Sequence, residues 1–165
     1  MATTTAAATD FEDKHQTANT YPAVQSEAGS VSFPDLGESI DALTFEQILE
    51  MDDDEEEREF SKSIVFGFFD QAEQTFGEMK EALDKSDLAS LASLGHFLKG
   101  SSATLGLTKV KDSCERIQHY GQKKDESGTV DVNDEALCLK RIRETLKEVK
   151  EQYEEVEGVL RKFYA

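Results

Sequence analysis

The stretch "DEALCLKRIRETLKEVKEQYEEVEGVLRKF", Asp134 to Phe163, decides the fold. Its apolar residues Leu139, Ile142, Leu146, Val149, Tyr153, Val156, Leu160 and Phe163 recur at a strict alternation of three and four, the period of one face of an α-helix. Such a stripe has to be covered. A coiled-coil dimer is one way to cover it, giving a helical scaffold or interaction protein. However, the stretch holds only about three and a half heptads, and three further amphipathic helices need a fourth wall. The pattern therefore predicts an internal bundle.

Those three helices lie upstream. One follows the acidic run "DDDEEERE" (Asp52 to Glu59), whose carboxylates suit the first turn of a helix because of its macrodipole. Its core stripe is Val65, Phe69, Ala72, Phe76, Met79 and Leu83, and Phe60, Ile64 and Phe68 form a second apolar row. The next begins at an N-cap, Ser86, after "LDKSD" and ends at Leu105-Gly106, where glycine suits a C-terminal cap. A third, from about Thr108 to Lys124, turns Val110, Cys114, Ile117 and Tyr120 inward, with Gly121 weakening its last turn. A short helix from about Ser39 to Met51 precedes them all and carries apolar residues on more than one face. The expected fold is all-α: an up-down-up-down four-helix bundle over residues 39–165, capped by the short helix. Residues 1–38 are rich in Thr, Ala, Ser and Gly, contain both prolines and show no sustained period, so they are expected to be a disordered tail.

Bulk chemistry narrows the function. The chain of 165 residues has 35 acidic against 18 basic residues and a formal net charge of −17. This argues against nucleic acid or an anionic membrane as a partner and for basic protein surfaces. The two cysteines, Cys114 and Cys138, sit in apolar helical patterns without metal-ligand spacing, which fits reduced thiols in a cytoplasmic or nuclear setting. The N-terminus lacks a basic segment followed by an apolar run, so no secretory or mitochondrial signal is indicated. The chain also has no Gly-rich phosphate loop, GxSxG, HExxH or EF-hand spacing. Neither a nucleotide nor a metal site is expected.

The third bundle helix poses a question of its own, because "HFLKGSSATLGL" (His96 to Leu107) places Gly95 and Gly100 around a histidine in an otherwise leucine-rich helix. On a helical wheel His96 lies about 160° from the leucine face and points to solvent. Its neighbours three, four and seven residues away are Ala89, Ala92, Ser93, Gly100 and Ala103, with Lys99 as the one long side chain. Gly100 costs about 1 kcal/mol of helix propensity against alanine and leaves clearance above the imidazole. Small residues can instead serve tight helix packing, a reading disfavoured here because the leucines already face inward. His15 and His119 are expected to be ordinary exposed side chains.

"HFLKGSSATLGL", followed by "CERIQ" (Cys114 to Gln118), resembles the histidine-containing phosphotransfer (HPt) domains of multistep phosphorelays. "EMDDD" (Glu50 to Asp54) and "FDQAEQTF" (Phe69 to Phe76) are similar to the fungal members, whose loop before the last helix differs from the short one here. The resemblance covers about residues 38–165 and implies that His96 takes a phosphoryl group from an aspartate of one response-regulator receiver domain and hands it to another. The receiver of a hybrid histidine kinase is among the implied partners, in osmotic or oxidative stress signalling. It further implies no autokinase or ATP-binding activity, no cofactor of the protein's own with Mg²⁺ held by the partner, and a monomer.

By the same resemblance Lys99 lies beside the phosphoryl oxygens, Gly100 gives clearance, Gln118 orients the imidazole ring and Ser101 sits near the phosphoryl group. Ile48, Met51, Phe60 and Ile64, with Phe97 and the ring of Asp52, Asp53 and Asp54, are the implied receiver-docking residues. An autophosphorylating kinase is disfavoured, because Phe97 follows the histidine where an acidic or polar residue is expected and no ATP domain fits.

Overall fold

Glycine at two positions decides how closely the helices approach, and the remaining architecture follows from that contact. The computed structural model describes residues 37–165, so the expected tail falls almost wholly outside the described residues. Among them are helices α1 (Ala42–Leu49), α2 (Glu59–Asp84), α3 (Leu88–Leu105), α4 (Thr108–Gly121) and α5 (Glu135–Phe163). Helices α2 to α5 form an antiparallel ring. A Cβ on Gly95 of α3 would lie 2.9 Å from the Cys114 carbonyl oxygen and the Gln118 nitrogen of α4, and one on Gly121 would lie 2.7 Å from the Ala92 nitrogen. Glycine is therefore required at both crossings, because any side chain would collide with backbone. Tight packing is thus the role of Gly95 and Gly121, and Ala92 of the small-residue face takes part in it at the Gly121 crossing, where the sequence had disfavoured such packing for that face. Gly100, the other glycine of α3, has nothing within 4 Å of its Cβ position and faces open space.

The other walls are read from their cross-links. Ser113 Oγ donates to Gln152 Oε1 at 2.7 Å and Arg116 pairs with Glu148 at 3.2 Å, which sets α4 against α5. The Tyr153 hydroxyl of α5 donates to Glu73 Oε2 of α2 at 3.1 Å, and its ring packs edge-on against Phe69 and Phe76. The α2 stripe (Val65, Phe69, Ala72, Phe76, Met79, Leu83) is buried, as are Ile142, Leu146, Val149, Tyr153, Val156 and Leu160 of α5. At the two ends of the α5 stripe, Leu139 and Phe163 are only half-buried. Burial of a large apolar side chain contributes about 1.5–3 kcal/mol, so this interior holds the ring closed and covers the stripe within one chain.

The helix ends differ from the sequence reading in two places. Asp87, not Ser86, is the N-cap of α3: its carboxylate accepts from the Ser90 amide at 3.1 Å and hydroxyl at 2.7 Å, while Ser86 adopts φ 55° in the turn. These hydrogen bonds hold the Asp87 carboxyl below its ordinary pKa, since they favour the charged form. Helix α2 starts only at Glu59, so Asp52 to Arg58 form a connector rather than a first turn. At the far end of α3, Gly106 (φ 77°) closes the helix as anticipated. Its carbonyl accepts from the Asp41 amide at 2.7 Å, and the Ser39 carbonyl accepts from the Thr108 amide at 3.2 Å. These bonds seat the start of α1 on the α3–α4 turn and make it the cap of the bundle.

The glycine crossings and the buried thiol can be tested by unfolding. Gly95→Ala is expected to lose about 1–3 kcal/mol through overpacking. Gly100→Ala should gain up to about 1 kcal/mol from helix propensity, and denaturant midpoints of the two variants should move in opposite directions. Cys114 is fully buried, and desolvation pushes its thiol from 9.0 up to about 12. Above pH 9 the unfolded chain releases this proton while the native state keeps it, so stability is full below pH 9 and falls as the pH rises toward 12. Native protein should resist alkylation by iodoacetamide at Cys114 at pH 8 and react once unfolded, as peptide mass spectrometry would show.

Candidate functional site

Helix α3 turns Leu88, Leu91, Leu98, Leu105 and Gly95 inward, with Leu94 half-buried, which leaves the opposite face to His96. The imidazole is exposed, and the surrounding Ala89, Ser93, Gly100 and Ala103 are exposed as well, with Ala92 half-buried. Methyls, a hydroxymethyl and a bare Cα surround the ring, so it is approachable along its own axis. Phe97, next in sequence, is 48% exposed, a large apolar surface left uncovered beside the histidine.

Lys99, one turn on, is half-buried, and its Nζ lies 3.8 Å from Glu115 Oε2 on α4. A pair this long and this exposed contributes little stability, so the ammonium is only loosely tethered to α4. Gln118 is held where α4 crosses Gly95, at the tight contact described above. Its Oε1 is buried and has no hydrogen-bond partner among the described residues, an uncommon condition for a side-chain amide in a folded protein. Ser101 faces α2 rather than the imidazole, with its Oγ 3.5 Å from Gln71 Oε1. Ser102 is buried and donates to the Leu98 carbonyl at 2.7 Å.

Between α2 and α3 runs an open groove lined by Ser63, Ile64, Gly67, Gln71, Ser101 and Thr104. Elsewhere on the described surface Met51 is 64% exposed, Phe60 43% and Phe97 48%, while Ile64 in the groove is half-buried. Two of the sequence-inferred docking residues are placed otherwise. Ile48 is 8% exposed and packs as part of the α1 core face. Asp52 is half-buried, and its carboxylate accepts from the Ser61 amide and hydroxyl, both at 2.7 Å, so it binds the first turn of α2 instead of facing solvent. Asp53 and Asp54 are exposed.

Sequence reasoning did not select Glu115, Gln71 or Leu43, the last 69% exposed on α1. Glu115 lies one turn before Gln118 in "CERIQ", a spacing that could have drawn attention to it. Gln71 and Leu43 carry no signal without knowledge of which helix faces which. His119 is not the free side chain expected. It is half-buried, its Nδ1 lies 2.8 Å from the Glu126 carbonyl oxygen, and the bare Gly128 backbone packs on its ring.

The Hpt domain model matches residues 64–157. Multistep phosphorelay regulator 1 of Schizosaccharomyces pombe is 49% identical over 125 residues, covering 76% of this chain and 42% of that protein. Phosphorelay intermediate protein YPD1 of Candida albicans is 52% identical over 84 residues, 51% of this chain and 45% of its own length. The YPD1 of Saccharomyces cerevisiae is 47% identical over 87 residues, 52% of this chain and 51% of its own. The chain thus spans about half the length of the curated relatives it matches. The crystal structure of yeast Ypd1 superposes with a TM-score of 0.66 at 32% identity, covering 77% of this chain and 95% of that one. S. cerevisiae Ypd1 co-crystallised with the receiver domain of its downstream response regulator Ssk1 gives a TM-score of 0.66 at 34% identity over the same shares. With a family model matched over more than half its length and a bundle shared with these structures, the chain belongs to the Hpt domain family.

Proposed function

We propose that the protein is a phosphorelay intermediate that takes a phosphoryl group from the aspartate of one receiver domain onto His96 and passes it to the aspartate of another. The observation that carries this reading is the uncovered imidazole on a helix face of small residues. Phosphoryl transfer through a loose transition state asks for in-line approach and charge stabilisation more than for covalent help. A histidine with open surroundings supplies the approach. Neutral Nε2 attacks phosphorus, the N–P bond forms as the acyl O–P bond breaks, and the aspartate leaves as a carboxylate. The reverse step breaks the N–P bond, forms an acyl O–P bond on the second aspartate and returns the imidazole unchanged.

Lys99 is the side chain available to sit against the phosphoryl oxygens, as a flexible point charge able to leave Glu115. The Gln118 amide, held at the Gly95 crossing, is available to orient the ring. Mg²⁺ would be held by the acidic pocket of the receiver, and the protein would act as a carrier without autokinase or ATP-binding activity of its own. Exposed Met51, Phe60, Phe97 and the α2–α3 groove supply apolar contact to the receiver, while Asp53 and Asp54 steer basic surfaces toward it. A co-crystal of Ypd1 with the receiver of Ssk1 supports partners of this class. Two reduced, buried thiols suit a cytoplasmic and nuclear setting.

Phosphoramidate should label His96 with acid-labile phosphate, and the label should move to the Ssk1 receiver domain when the two are mixed. His96→Gln should take up none. Equal labelling of that variant, or a phosphorylated wild type that never transfers to a receiver, would sink the reading. Gly100→Gln should keep the helical circular dichroism of the parent while slowing transfer by about ten-fold or more, because a long side chain one turn from the imidazole disturbs in-line approach.

A further inference from the structure

The connector between α1 and α2, residues 50–58, carries Met51, Asp53 and Asp54 and leads directly into Phe60, so it forms the edge of the proposed docking face. Helix α2 does little to fix this connector locally. Its N-cap residue, Arg58, stands in the left-handed region at φ 47°, ψ 43° and makes no side-chain cap bond. An L-residue is disfavoured there, so the surroundings must hold it.

Those surroundings come from the far end of the sequence. The Tyr164 hydroxyl, just past α5, donates to Ser61 Oγ at 2.8 Å across 103 positions of sequence. Ser61 Oγ in turn donates to Asp52 Oδ2 at 2.7 Å, and the Ser61 amide donates to Asp52 Oδ1 at 2.7 Å. The result is a chain of O–H groups ending on a charge, the stronger class of hydrogen bond. Phe163, beside Tyr164, places its ring edge-on to Phe45 of α1 at 5.7 Å, and the Arg58 guanidinium lies over that ring at 5.1 Å. Tyr164 also meets Phe66 of α2 edge-on at 6.2 Å. Two adjacent residues therefore touch α1, the connector and the start of α2 at once. The Tyr164 phenol is half-buried, and desolvation pushes it up to about 12, so it remains a donor at neutral pH.

We infer that Phe163 and Tyr164 form a clasp that, through Ser61 and Asp52, holds the α1–α2 connector in the shape that receives the partner, making Tyr164 a positioning residue for docking and not for the transfer step. The inference rests on the phosphorelay reading for its partner. Its geometry is independent of that reading.

Tyr164→Phe keeps the aromatic packing and removes only the donor, while Ser61→Ala removes both arms of the chain. Transfer from phosphoramidate-labelled protein to the Ssk1 receiver domain, followed against receiver concentration, should show half-saturation raised about three- to ten-fold in each variant. The limiting rate and the labelling of His96 by phosphoramidate should not change. The double variant should equal Ser61→Ala alone, since the two groups act in series. Amide hydrogen exchange, read without any receiver, should speed up in residues 50–58 and stay as in wild type along α3. Unchanged exchange in the connector, or a lowered limiting rate with half-saturation unchanged, would overturn the clasp. Failure of the wild type to transfer at all would instead overturn the phosphorelay reading, and the exchange data would still decide whether the clasp exists.

Discussion

The absence of two side chains on facing helices is the constraint on which the rest of the structure depends. Gly95 and Gly121 let α3 and α4 approach until backbone meets backbone, with no room for a Cβ at either crossing. That approach fixes more than packing. It sets Gln118 against the helix that bears His96 and brings Glu115 within reach of Lys99. Because the interior tolerates neither voids nor overlaps, the same contact fixes which way α3 rolls, and therefore that its leucines face in while His96 faces out. Of the helix's two glycines, one serves this crossing and the other serves the surface.

The bundle was legible in the sequence because long helices advertise their inward face. The stripes of α2, α4 and α5 are buried almost residue for residue, and the exposure of His96 followed from the same wheel. What the wheel cannot reveal is the partner of each face. A glycine forced by a neighbouring helix and a glycine with open space above it look alike in one dimension, so the packing roles of Gly95 and Gly121 could not be told from the openness at Gly100. Asp52 shows the same limit: within a run of eight consecutive charged residues it reads as one more solvated carboxylate, and only a serine nine positions away reveals it as a cap. His119 needed the course of a loop to show what it touches.

The family assignment and the physical reading reinforce each other at different places. The matched residues 64–157 span most of the four-helix ring, where sequence pattern and structure agree best. Helix α1 and the connector precede the match, and Tyr164 follows it. These outlying parts meet at one corner, joined by the hydrogen bonds around Ser61 and the ring of Phe163. The ring is thus the part the family model covers, and its attachments are tied to one another at the start of α2.

The plainness of the ground around His96 carries a consequence for recognition. Any macromolecule reaching the imidazole meets methyl groups, a bare Cα, one hydroxyl and one lysine, which offer little to distinguish one visitor from another. Selectivity must then reside a turn or more away, in the half-exposed aromatics and carboxylates bordering this clearing. Natural variation at the centre would be felt by every visitor alike, whereas variation along the border could retune individual pairings while leaving the chemistry intact.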